Sequence, residues 1–222
     1  MARTSSLYLY GVLRTKEEQR YGAIGLGTPP AEVVTVHHGE LAAVVSEGPA
    51  GVPDPTRDHL LAHHRVQDTV MREHTLLPAA FGLTFRGREE VVELLRSAHD
   101  AFAGVLAKLE GHIELGVKVL WDPDLIAREA AGHDARTLLE ALRPLARAVR
   151  EVRPIGERMI LNAAFLVERV QEAAFDAKMR SLAARFELLT LHYTGPWAPY
   201  HFTDILLRLE PEVAGTGAPP GT

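Results

Sequence analysis

Eleven histidines in a 222-residue chain that has no cysteine are the first place to look for chemistry. His59 and His63 stand one helical turn apart, with His64 adjacent. Two imidazoles at i, i+4 can chelate one metal ion on a helix face. A zincin helix needs Glu directly after its first His, and Leu60 stands there. Asp58 and Asp68 point to other faces, and the spacing fixes no third ligand. The competing reading is a partly solvated helix face. His37 and His38 read as turn residues of a hairpin. His192 and His201 flank an aromatic turn and are placed to face each other there, where imidazoles titrate near neutrality.

Other residue patterns lead to less chemistry. Gly22, Gly25 and Gly27 are spaced GxxGxG and followed by Pro-Pro, which matches neither phosphate-loop pattern, and no helix start follows to receive a phosphate. They read as a flexible connection. Glu89-Glu90 opens a helix, where carboxylates complement the helix dipole. No Gly-x-Ser-x-Gly occurs, and the absence of cysteine excludes thiolate catalysis and Cys-based metal sites. Arg143, Arg147, Arg150 and Arg153 form a basic helical face, read as solvated or as a groove for an acidic partner. The formal net charge is −5, which disfavours a nucleic-acid role. No apolar run approaches the roughly 20 residues of a membrane span.

The densest patterning is Tyr193-Thr194-Gly195-Pro196-Trp197-Ala198-Pro199-Tyr200-His201-Phe202. Three aromatic side chains, Trp197, Tyr200 and Phe202, sit in a turn stiffened by Gly195, Pro196 and Pro199. Such a turn does no acid–base chemistry. It can lock a corner of a fold or present amphipathic surface to a partner protein. Trp197, Tyr200 and Phe202 are therefore the candidate partner-binding residues. No catalytic, cofactor-binding or metal-binding residue is assigned.

The elements that must position these residues follow from periodicity. Residues 7–13 read as a strand. Residues 15–21 read as a short helix, with Thr15 and Glu18 at capping-box spacing. Strands at 32–37 and 40–46 surround His38-Gly39 as a hairpin. A helix at 56–75 carries the histidines, and 76–85 is extended. This βαββαβ order is that of a ferredoxin-like unit. A helix at 88–109 follows, then a strand at 112–121. A helical stretch starts at Asp122-Pro123, breaks at Gly132 and resumes over 135–152. Residues 159–167 read as a strand before a helix over 168–186. Strands at 188–193 and 202–209 close the fold across the aromatic turn. The fold class is α+β in two parts, a ferredoxin-like domain at 1–86 and a second α+β domain with long helices at 87–210. A Pro/Gly-rich disordered tail is expected at 211–222.

The succession of motifs resembles the gas vesicle protein L/F family. It comprises Tyr8-Leu9-Tyr10-Gly11, the Gly39–Ser46 hairpin, the stretch from Leu77 to Phe85, Glu114–Val119, Leu161–Val167 and the aromatic turn. The likeness spans residues 7–210. Ala198 stands where the family has Pro, His201 where it has Ser, and Ala79-Ala80 where a larger or basic residue is frequent. The resemblance implies a cytoplasmic, non-enzymatic accessory or minor structural protein of gas vesicles. It would bind the small hydrophobic main shell protein and other accessory gas vesicle proteins, with no cofactor, small-molecule substrate, nucleic acid or membrane. The alternatives are a His-dependent metal-binding protein or metalloenzyme centred on residues 59–64, and a ferredoxin-like nucleic-acid binder.

Overall fold

The computed structural model describes residues 6–48 and 51–203. The strands of the N-terminal half are β1 (Ser6–Arg14), β2 (Arg20–Ala23), β3 (Glu32–His38) and β4 (Leu41–Gly48). Helix α1 (Arg57–Met71) follows, then the short strands β5 (Leu76–Pro78) and β6 (Thr84–Phe85). Tyr8, Leu9, Tyr10, Val12 and Leu13 of β1 are all inaccessible to solvent. A strand buried on both faces belongs inside a sheet. Accordingly the antiparallel order is β2-β3-β4-β1-β5, with β6 also paired to β1.

A bulge in β1 decides what each face of this sheet carries. Leu9 pairs with Val45 and Gly11 with Val44, so Tyr10 is the extra residue. Beyond it the alternation reverses. Tyr8, Tyr10 and Leu13 share a cluster with Val66 and Val70 of α1. Leu9 and Val12 face the other way, onto α2 (Arg88–Ser97) and α3 (His99–Leu109), through Val91, Leu95, Phe102 and Leu106.

The second sheet is built from β7 (His112–Trp121), β8 (Ala148–Glu151), β9 (Met159–Glu168) and β10 (Leu189–Trp197), in the antiparallel order β10-β7-β9-β8. Ile113, Leu115, Val117 and Val119 alternate along β7 onto α4 (Arg128–Leu142) and α5 (Glu172–Arg185). The opposite face turns toward the first sheet, where Leu166 joins the cluster of α2 and α3. The protein is thus α+β, with two antiparallel sheets and five α-helices among the described residues.

Several expected elements form differently. No helix forms at 15–21. The Thr15 hydroxyl accepts the nearby Glu17 N–H (3.2 Å), and Gln19 N–H donates to Thr35 Oγ1 (2.9 Å), which leads the chain into β2. A seven-residue helix with little apolar face to bury cannot repay its nucleation cost. The βαββαβ order expected of a ferredoxin-like unit is therefore replaced by four strands, one helix and two short strands. The helix expected at 88–109 divides at Ala98 (φ −104°).

Asp122 closes a turn, accepting Asp124 N–H at Oδ1 (3.1 Å), and the helix begins later, at Arg128. It passes through Gly132 without a break. It ends at Leu142, so Arg143, Arg147, Arg150 and Arg153 make no helical face, and Arg150 lies in β8. The strand-then-helix reading of 159–186 holds as β9 and α5. The aromatic segment is no hairpin turn. It is the end of β10 followed by a 3-10 turn, Tyr200–Phe202. The remainder of the expected strand at 202–209 and the tail at 211–222 lie outside the described residues. No helix among those described is long and apolar enough to cross a membrane.

Gly11 tests the close approach of β1 to β5. A Cβ there would lie 2.6 Å from the Leu77 carbonyl oxygen and 2.7 Å from Leu76 Cδ1. Gly11→Ala should lower unfolding free energy by roughly 2 kcal/mol through overpacking of the sheet centre, read from urea denaturation midpoints at unchanged m.

Candidate functional site

Helix α1 begins at Thr56, whose hydroxyl accepts His59 N–H (3.2 Å). Its inward face carries His63, Val66, Gln67, Val70 and Met71 at helical spacing. Two of these are polar, and both are 1% exposed. Buried polar groups need partners, and these two find them in the sheet and in the aromatic segment.

Tyr8 Oη lies 2.8 Å from His63 Nδ1, and His63 Nε2 lies 3.2 Å from Tyr200 Oη. Tyr200 Oη donates to Gln67 Oε1 (2.8 Å), and Gln67 Nε2 donates to the Tyr10 carbonyl (2.9 Å) and reaches that of Ala79 (3.3 Å). Donor accounting assigns the imidazole proton. Tyr8 Oη already accepts Gly82 N–H (3.1 Å), so its own proton goes to His63 Nδ1. His63 then carries its hydrogen on Nε2, directed at Tyr200 Oη. In the other tautomer Gln67 Nε2 donates to His63 Nε2 across their 2.9 Å contact, and the Tyr8 hydroxyl proton loses its acceptor. The first arrangement satisfies more groups.

Burial pushes the His63 pKa down to about 4, with the neighbouring His64 adding to the effect. Burial also raises the Tyr8 phenol and pushes Tyr200 up to about 12. The network is therefore neutral across the ordinary pH range. Tyr8, Tyr10, Phe81 and His63 pack ring to ring around it, at 4.9 to 6.0 Å between centroids. Tyr10 closes a second contact. Its hydroxyl accepts Leu26 N–H (2.8 Å) and meets Ser46 Oγ (2.9 Å). The glycine stretch folds over this point, and a Cβ on Gly25 would come within 2.8 Å of Tyr10 Oη. The stretch is packed and does not act as a loose connection.

The three candidate partner-binding residues separate. Tyr200 turns inward, into the His63–Gln67 network. Phe202 is half-buried against the cluster of α2 and α3. Trp197 stays outside, 36% exposed, with its ring 5.7 Å from His64. Ala198 and Pro199 beside it are buried. Gly195 sits at φ +122°, and a Cβ there would meet the Glu114 carbonyl at 2.9 Å. Glu114 itself is 4% exposed and holds the far end of the segment. Its carboxylate accepts His201 N–H (2.9 Å) and contacts His201 Nδ1 (2.6 Å). Burial raises the Glu114 pKa, and His201 opposes that rise.

The histidine trio does not converge. His59 Nδ1 contacts the Asp54 carbonyl (2.8 Å), His63 points inward, and His64 lies against Trp197. Among the described residues no group of three or more His, Asp or Glu is placed to hold a metal ion. His192 is paired with Lys118 in the sheet and does not face His201. Sequence reasoning missed Gln67, Glu114 and the inward role of Tyr8 and Tyr10. The one available signal was polar Gln67, a turn after His63 on the apolar face.

Comparison with known proteins places this geometry. The family model described as "Gas vesicle synthesis protein GvpL/GvpF" matches residues 6–135 and 125–204. Gas vesicle protein F1 of Halobacterium salinarum is 32% identical, over 96% of this chain and 99% of its own. Gas vesicle protein L of a Streptomyces species is 30% identical, over 89% and 92%. The crystal structure of GvpF from Anabaena superposes with a TM-score of 0.79 at 28% identity, over 90% of this chain and 97% of that one.

The buried imidazole gives a pH dependence with a definite sign. Its folded pKa of about 4 lies below the ordinary 6.5. The contribution of neutral His63 is complete above pH 6.5 and is lost as pH falls toward 4, on the order of 3 kcal/mol in all. The urea midpoint should fall across this window, and a His63→Gln variant should show a flatter profile. Tyr200→Phe should cost about 1–3 kcal/mol at pH 7.5, because Gln67 Oε1 loses its donor.

Proposed function

The chain belongs to the GvpL/GvpF family of gas vesicle synthesis proteins, and on that premise we propose that it is a non-enzymatic accessory protein of gas vesicle assembly. In this reading it works in the cytoplasm and at the vesicle. It binds the hydrophobic main shell protein and other accessory gas vesicle proteins through the outer face of its aromatic segment. The observation that carries the reading is the fixed position of Trp197. The segment is anchored inward by Ala198, Pro199 and Tyr200 and clamped by Glu114 through His201. The one large indole left at its surface is thereby held in place before any partner arrives. A preorganised aromatic loses little side-chain entropy on binding, which is how interface anchors gain affinity.

The chemistry of the buried groups supports a binding role. His63 and Glu114, whose pKa values burial shifts, are both closed into hydrogen bonds with neighbouring side chains or backbone. A binding protein for an apolar shell subunit needs exposed apolar area, and Leu60 (37%) and Leu61 (49%) stand on the outer side of α1, the helix whose His64 meets Trp197.

The reading is tested by co-expressing the tagged chain with the main shell protein and measuring co-purification. Trp197→Ala should reduce recovery at least about tenfold, equivalent to about 1.4 kcal/mol. Its thermal midpoint should stay within a few degrees of the parent, because the indole is partly solvated. Equal recovery with Trp197→Ala would assign the segment to fold stability alone.

A further inference from the structure

We propose, resting on the assembly reading above, that the cleft beside Trp197 recognises a carboxylate carried on an apolar segment of the partner. The cleft has a volume of about 310 Å³ and runs between the C-terminal end of α1 and the end of β10. Trp197 and Pro196 form its apolar wall. Arg72 and Arg169 supply cationic groups, and Asp68 is the one acid in its lining.

The placement of the two guanidinium groups follows from the fold. Arg72 is the C-cap residue of α1, and its side chain reaches solvent. Arg169 follows β9 and donates from Nη2 to the Met71 carbonyl (2.7 Å), satisfying one of the last carbonyls of α1. That bond uses one of five guanidinium donors and orients the plane of the group. The two cations and one anion of the lining give a formal local charge of +1. The whole chain carries −5.

The positive lining of the cleft contrasts with the net negative charge of the chain, which favours an acidic segment at this place. The apolar wall sets the rest of the chemistry. A free anion would gain nothing from the indole and the proline ring, whereas an apolar segment bearing Glu or Asp engages both halves of the cleft. Recognition has two points: an apolar side chain against Trp197 and a carboxylate at Arg72 and Arg169, in the geometry that guanidinium groups favour. His64, Asp68 and Arg72 fall on one stripe of α1, at i, i+4 and i+8, so the segment would lie along that helix.

The experiment measures binding of the main shell protein to the full chain at 50 and 500 mM NaCl. Wild type should bind more weakly at high salt. Arg72→Glu should weaken binding about tenfold at low salt and flatten the salt response, while Arg72→Lys should keep much of it. Asp68→Asn should tighten binding, which damage to the fold would not do. If wild type binds but Arg72→Glu and Asp68→Asn bind equally well, the charge-reading role of the cleft is overturned and the assembly reading stands. If wild type does not bind the shell protein at either salt, both fall.

Discussion

Buried hydrogen-bonding groups are costly when left unpaired, and this constraint organises the structure around His63 and Gln67. Both lie on the apolar face of α1, where water cannot reach them. Their partners come from β1, from the stretch after β5, and from Tyr200, more than 130 residues away in the chain. Folding the N-terminal sheet by itself would leave the Gln67 amide oxygen without the Tyr200 donor. The aromatic segment therefore completes the first half of the molecule, although it belongs in sequence to the second. The Glu114 carboxylate repeats the logic from the other sheet, held by His201 at the end of the same segment.

This arrangement gives the segment two faces with different duties. Tyr200, Ala198 and Pro199 face inward and settle its position. Trp197 faces outward from a backbone that Gly195 allows to pass close to β7. The exposed indole, two exposed leucines on α1 and the cleft lined by Arg72 and Arg169 are the features on which the proposed partner binding rests. The most perturbed imidazole is explained by burial and by its hydrogen bonds. Its altered pKa is a consequence of holding the fold together.

Long elements with a clear apolar rhythm were legible in the chain. β7, with its alternating Ile113, Leu115, Val117 and Val119, lies where its pattern places it, and so do the β3–β4 hairpin, α1 and β9. Short or mixed stretches were not. Residues 15–21 carry helix-capping residues, yet pairing with β3 dominates the ladder that follows. Residues 148–151 read as the end of a helix, but Ala148 and Val149 bury against β9 and the neighbouring clusters, and the segment becomes an edge strand. In both places local propensity, worth tenths of a kcal/mol per residue, lost to tertiary hydrogen bonds and burial.

The candidate site divides along the same line. Residue types and spacing alone determined that the aromatic segment is stiff, that cysteine chemistry is excluded, and that the histidines lack a zincin pattern. Those conclusions depend on composition and on neighbours a few bonds apart. Tertiary structure decided that Tyr200 points in and Trp197 out, that His63 is a buried neutral link, and that Arg72 and Arg169 share a cleft. Each of these depends on groups brought together from distant parts of the chain. The bulge at Tyr10 is the clearest case: plain alternation would put Val12 on the face of Tyr8 and Tyr10, and one extra residue in β1 sends Val12 to the face of Leu9 and Leu13 to the face of α1 instead. Only the pairing with β4 specifies it.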